Sequence, residues 1–161
     1  MLAEVLSALQ DAALVGALRR SRWVYPLVNA GHIVGLALLF GSIVPLDLRL
    51  LGLWQRIPLG LMARTLLPVA LCGLALAVVT GALLFSVSAL RYADLTLFRI
   101  KLLLILGAAT NALLLHRVAL WGVYRDANLP GTTRRLQLAG ALSLGLWLAT
   151  IVAGRMLGYL D

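Results

Sequence analysis

Residues 23–46 read WVYPLVNAGHIVGLALLFGSIVPL, with no Asp, Glu, Lys or Arg among them. The stretch is long enough to cross a bilayer, which takes about 20 predominantly apolar residues in an α-helix. Trp23 and Tyr25 open it with aromatic rings suited to a membrane interface, and Pro26 suits a first helical turn. Gly31, Gly35 and Gly41 offer a smooth face for close helix approach. His32 stands out against this background. An ionisable side chain inside an apolar span is expensive to bury and marks a functional position by default.

The same apolar pattern recurs along the chain. The expected spans are about Tyr25–Leu46, Leu66–Leu90, Leu95–Trp121 and Leu136–Leu157. The whole chain has 161 residues, is 62% hydrophobic and 12% charged, and has a mean hydropathy of +0.99. A soluble domain is about 45–50% apolar and about 25% charged. The fold class that follows is all-α: a polytopic membrane protein built as a four-transmembrane-helix bundle over residues 23–161. Residues 1–22 precede it. Leu2, Val5, Leu6, Leu9 and Ala13 recur at helical spacing there, with Glu4, Ser7, Asp11 and Arg19 on the other side. This predicts one amphipathic helix over residues 2–20, lying in the interface plane and ending in Arg19, Arg20 and Arg22. Packing against a partner subunit is the alternative. The segment lacks a basic start and carries Glu4 and Asp11 early, so a cleavable signal peptide is not expected. No lipidation box is expected at either end.

Between the spans, Gly52, Trp54, Pro58 and Gly60 mark a loop over residues 52–60, and residues 122–133 mark another. Pro68 is expected in the first turns of the second span, and Asp94 as the N-cap of the third. Basic residues are divided equally between the two membrane faces, so the positive-inside rule does not choose an orientation; the cluster before the first span favours termini inside.

The formal charge is +8, from 14 Lys and Arg against 6 Asp and Glu. The basic residues sit at span ends, where they meet anionic lipid head groups. No basic run interleaves with aromatics in a soluble segment, so nucleic acid is not an expected partner. The single cysteine, Cys72, falls in an apolar run and reads as a small packed residue. There is no phosphate-binding glycine loop, no cysteine pair with metal spacing and no Ser-His-Asp constellation.

Chemistry therefore rests on His32 and His116, the two histidines of the chain. Imidazoles in a membrane bundle suit axial ligation of a b-type haem, with copper the alternative. The bland reading has each ring hydrogen-bonded to a neighbouring helix or sitting at head-group level. Depth separates the two. His32 lies nine residues past Trp23 and His116 seventeen past Arg99 on spans running the same way. At 1.5 Å per residue they differ in depth by roughly 12 Å, so two sites with one histidine each fit better than one shared haem. A second ligand then comes from another copy of the chain, or from Met156 near His32 or Met62 near His116, although methionine more often fills space. Arg155 is placed to clasp a haem propionate or a lipid phosphate. Asp47 and Arg49 are candidates for a charge pair at the membrane edge that handles a proton or fixes the loop. Asn29 and Asn111 are amides able to bond across helices.

Several motifs carry a resemblance. They are Trp23-Val24-Tyr25-Pro26 followed by His32, Gly35 through Gly41, Leu46 through Gly52, Thr80 through Phe85, Phe98-Arg99-Ile100-Lys101, Asn111 with His116, and Gly154 through Tyr159. Over about residues 22–160 the chain resembles a group of small bacterial four-span membrane proteins of unknown function. That group is distantly similar to the membrane domain of copper resistance protein D and to b-type cytochrome bundles. The resemblance implies the four-span fold and a place in the bacterial inner membrane. The fourth span carries no histidine, so a four-histidine, two-haem pattern is absent from one chain. The expected function is a membrane redox protein, an electron carrier holding haem b and serving a quinone or a redox partner. It would be a subunit rather than a stand-alone enzyme, surrounded by lipid and assembled as a homo-oligomer or in a larger complex. A structural or assembly subunit and a copper-handling protein are the alternatives.

Overall fold

Long apolar runs can satisfy their backbone polar groups in lipid only by coiling into helices, and those among the described residues do so. The computed structural model describes residues 2–11, 13–117 and 133–159, with the side chains of residues 2, 3, 5, 9, 13, 14 and 19 left aside. Seven helices are described: α1 (Leu2–Gln10), α2 (Ala13–Arg20), α3 (Val24–Leu50), α4 (Leu59–Val87), α5 (Ala89–Asp94), α6 (Thr96–Arg117) and α7 (Arg134–Leu157). The four long ones, α3, α4, α6 and α7, are each long and apolar enough to cross a membrane. The protein is a multi-pass membrane protein with an all-α four-helix bundle. Leu61, Leu71, Val78, Leu103 and Leu114 point outward from it, as lipid-facing positions do.

The helices overrun the expected spans where polar residues find internal partners. α3 continues to Leu50, taking in Pro45, Asp47 and Arg49. It closes on Gly52, whose φ of 106° lets Gly52 N–H reach Arg49 O at 3.1 Å and Leu53 N–H reach Leu48 O at 3.0 Å. This double closure around a left-handed glycine satisfies carbonyls that would otherwise be bare. α4 begins at Leu59, directly after Pro58, so Pro68 lies inside the helix and not in its first turns. Asp94 is the last residue of α5, with Leu95 between it and α6, so it does not take the expected N-cap position. Residues 118–132 lie outside the described part, and with them the end of the expected third span and nearly all of the following loop. Thr133 caps α7, its hydroxyl oxygen accepting from Leu136 N at 3.4 Å.

The N-terminal segment is two helices and not one. Asp11 ends the first turn sequence with its N–H on Ser7 O at 2.9 Å. A carboxylate is unfavourable at a helix C-terminus and favourable before the start of the next, which accounts for a break there. α1 packs on α4 and α5, and α2 on α3 and α4, with Val15 and Leu18 buried.

Small residues set the bundle. A Cβ on Gly73 would stand 2.5 Å from Leu39 N and 2.8 Å from Gly35 O; one on Gly35 would stand 2.7 Å from Ala77 N. α3 and α4 thus cross backbone against backbone. Gly140 does the same for α7 on α3, where a Cβ would meet Leu50 Cβ at 2.9 Å and Asp47 O at 3.0 Å. Leu39, Ala70, Ala108 and Trp147, one from each long helix, form the central cluster. A second cluster of Leu46, Leu50, Leu59, Ala63 and Leu136 lies towards the end where α3 closes. α4 and α6 lack the close backbone approach of the α3–α4, α3–α7 and α6–α7 pairs. Stacked rings of Phe85 and Phe98, centroids 5.1 Å apart, bridge them at the α5 end, with Tyr92 alongside.

Candidate functional site

α3 and α6 start at the same end of the bundle, and α4 and α7 finish there, with α1, α2 and α5 packed about that end. His32 lies eight residues into α3 and is half-buried. It meets Thr80 of α4, seven residues from that helix's end, with Nδ1 3.1 Å from Oγ1. The Thr80 hydroxyl proton is already committed to Leu76 O at 2.6 Å. Oγ1 can then only accept, so Nδ1 carries the ring proton and Nε2 keeps its lone pair. The Ala77 backbone also lies within hydrogen-bond reach of the ring. Gly81 floors the ring: a Cβ there would stand 3.1 Å from His32 Cε1. Lys101 of α6 is near enough for its charge to act on His32, and its side chain runs across Gly154 of α7, Nζ 3.4 Å from where a Cβ would stand. His32 and Thr80 thus join α3 to α4 over Gly81, and Lys101 joins α6 to α7 over Gly154, at the same end of the bundle.

His116 is elsewhere. It occupies the last turn of α6 and is exposed, and its Nδ1 lies 3.1 Å from Ala112 O, one turn back on the same helix. Along α6 it is fifteen residues beyond Lys101, roughly 22 Å at 1.5 Å per residue. The two histidines of one chain therefore sit at different depths of the bundle. Arg155 makes its contacts with Tyr159. It is exposed, donates from Nη2 to Tyr159 Oη at 3.1 Å and lies over the Tyr159 ring at 4.8 Å. Met156 is exposed, and Met62 packs against the Leu46 cluster at the end of the bundle that carries His116.

The remaining polar residues act within the fold. Arg49, fully buried, donates from Nε to Ile57 O at 2.8 Å and from Nη2 to Gln55 O at 3.3 Å, clasping the α3–α4 loop by its carbonyls. No ion pair joins it to Asp47 among the described residues; two residues apart on a helix, they point in different directions. Asp47 is buried facing Ser143 of α7, and its Oδ2 and the Nη1 of Arg49 are buried without partners. Asn111 donates to Ala139 O at 3.0 Å, joining α6 to α7, whereas Asn29 is exposed. Cys72 faces outward instead of packing. No three His, Cys, Asp or Glu side chains group together among the described residues.

Sequence reasoning passed over Thr80 and Lys101. Thr80 sits in the quoted Thr80–Phe85 motif, and its alignment with His32 was not visible before the α3–α4 crossing was known. Comparison with protein families, with curated proteins and with solved structures finds no match to this chain.

Proposed function

We propose that this chain is a membrane redox protein of the bacterial inner membrane that holds a b-type haem through His32 Nε2. The observation that carries this reading is the His32–Thr80 bond, 3.1 Å, with the threonine hydroxyl already committed to Leu76 O. A histidine that donates its other nitrogen to a fixed acceptor has its tautomer and ring plane set for ligation, and such outer partners hold ligand histidines in metal sites generally. Haem supplies reversible one-electron chemistry when bound. His32 would supply one imidazole nitrogen per chain to hold the group, Thr80 orients that ring, and Gly81 lets the ring lie against α4. Any further ligand would come from outside the chain, in keeping with assembly as a homo-oligomer or in a larger complex, and the bound group would serve a quinone or a redox partner.

Copper is less well served: it takes several imidazole or sulfur ligands, and this site has one imidazole. A structural or assembly subunit is favoured instead by His116 and Arg155, each of which is bonded within its own segment. A reduced-minus-oxidised absorption spectrum of the protein purified in mild detergent separates the readings. The redox reading expects a shifted Soret band and an α band. A featureless spectrum with no iron bound contradicts it and leaves the structural reading.

A further inference from the structure

We infer that Lys101, at the same end of the bundle as His32, forms an intramembrane anion site for the carboxylate of an amphiphilic ligand whose body extends into the bundle. Lys101 is half-buried in the second turn of α6. Its stem lies along Gly154, with Cδ, Cε and Nζ at 3.9, 3.5 and 3.4 Å from the position a Cβ would take, so the glycine provides the groove that holds it. No hydrogen bond or ion pair to its ammonium is found among the described residues. The described carboxylates are elsewhere: Glu4 and Asp11 are exposed on the N-terminal segment, Asp94 is exposed at the end of α5, and Asp47 lies at the opposite end of α3. A cation held among apolar helices calls for a counter-charge.

Depth gives the ligand its direction. Gly154 is three residues from the end of α7, Lys101 five from the start of α6, and His32 eight from the start of α3. His32 is therefore deeper than Lys101 by roughly 5 Å. A ligand with its acid at Lys101 and its bulk below matches an amphiphile entering with its polar end at the membrane face. Two sources share this chemistry: a haem propionate, which rests on the reading of His32 given above, and the carboxylate of a membrane fatty acid. Arg155, one residue from Gly154, is occupied by Tyr159 and leaves this role to Lys101.

The test titrates the purified full chain in detergent with ferric haem b, with its propionate dimethyl ester, and with a spin-labelled stearic acid. Wild type is compared with Lys101→Met, Lys101→Arg and His32→Ala, each checked for monodispersity. A lost charge-assisted bond predicts that Lys101→Met weakens binding of an acid-bearing probe about tenfold. Wild type should bind the ester as weakly as Lys101→Met binds the acid, and Lys101→Arg should restore most of the affinity. If haem binds through His32 but its acid and ester forms bind alike, and Lys101→Met matches wild type for every probe, the anion site is overturned and the His32 reading stands. If haem does not bind but stearate binding depends on Lys101, the anion site stands with lipid as its source and the haem reading falls. No Lys101-dependent binding of either acid overturns the inference.

Discussion

Thr80 shows how one side chain sets the chemistry of another. By committing its proton to Leu76 O it leaves an acceptor that fixes the His32 tautomer. Hydrogen bonds inside membrane bundles contribute only about 0.6 kcal/mol on average, so Thr80→Val should barely change the thermal midpoint in detergent. If His32 is an axial ligand, the same variant should weaken haem binding about 10–100-fold, the usual cost of losing a partner behind a ligand. A haem titration beside a melting curve checks both; unchanged haem affinity would remove Thr80 from the site. Arg49 makes a different residue-scale case. Its two donors hold Gln55 and Ile57 carbonyls while Nη1 is buried unpartnered. Arg49→Met should free residues 51–58 for proteolysis, at a global cost below the roughly 1.5–3 kcal/mol of one charged hydrogen bond, because the orphaned nitrogen goes too. Arg49→Lys should not rescue, since an ammonium cannot fork between the two carbonyls. Equal cleavage of wild type and both variants would contradict the clasp.

The elements divide into those legible in the sequence and those that were not. The four spans were legible because the need to pair every backbone group in lipid leaves one solution for a long apolar run. Their ends were not, because Gly52 closes α3 by local backbone bonds, Pro58 directly precedes α4, and Arg49 finds carbonyls in the following loop, none of which hydropathy registers. The break at Asp11 was missed for a similar reason: the apolar spacing of α1 runs on towards α2 and hides a charge that suits a helix start better than a helix interior. The histidines were legible as residues, but their facing was not. Each residue turns an α-helix by about 100°, so whether His116 faces in or out depends on which side of α6 meets α7. The α3–α4 crossing makes the firmest element-scale prediction. Gly73→Leu puts a side chain against Leu39 N and Gly35 O, backbone atoms that cannot move aside, and should cost at least about 1–3 kcal/mol as overpacking. Size-exclusion profiles should show an aggregated or split species. Gly41→Ala, with nothing within 4 Å, should leave the profile intact and gain slightly in helix stability. A monodisperse Gly73→Leu protein as stable as wild type would mean the helices do not cross here.

At the scale of the molecule, alternation of four spans puts residue 21 and residue 54 on opposite sides of the membrane. In a Cys72→Ala background, a membrane-impermeant maleimide applied to sealed vesicles of one orientation should label only one of Ser21→Cys and Trp54→Cys. Labelling of both from one side would contradict the span through α3. The bundle is also polarised along its axis. One end collects His32, Thr80 and Lys101 beneath α1, α2 and α5, while the other is fixed by Arg49, Asp47 and the Leu46 cluster and carries the outward His116. The proposed site therefore lies at one end only. The most direct test compares the haem content and reduced-minus-oxidised spectrum of His32→Ala with those of His116→Ala, both purified as wild type. With haem held by His32, His32→Ala loses the haem bands while His116→Ala retains them in full. Loss in His116→Ala, with the bands kept in His32→Ala, would contradict that reading.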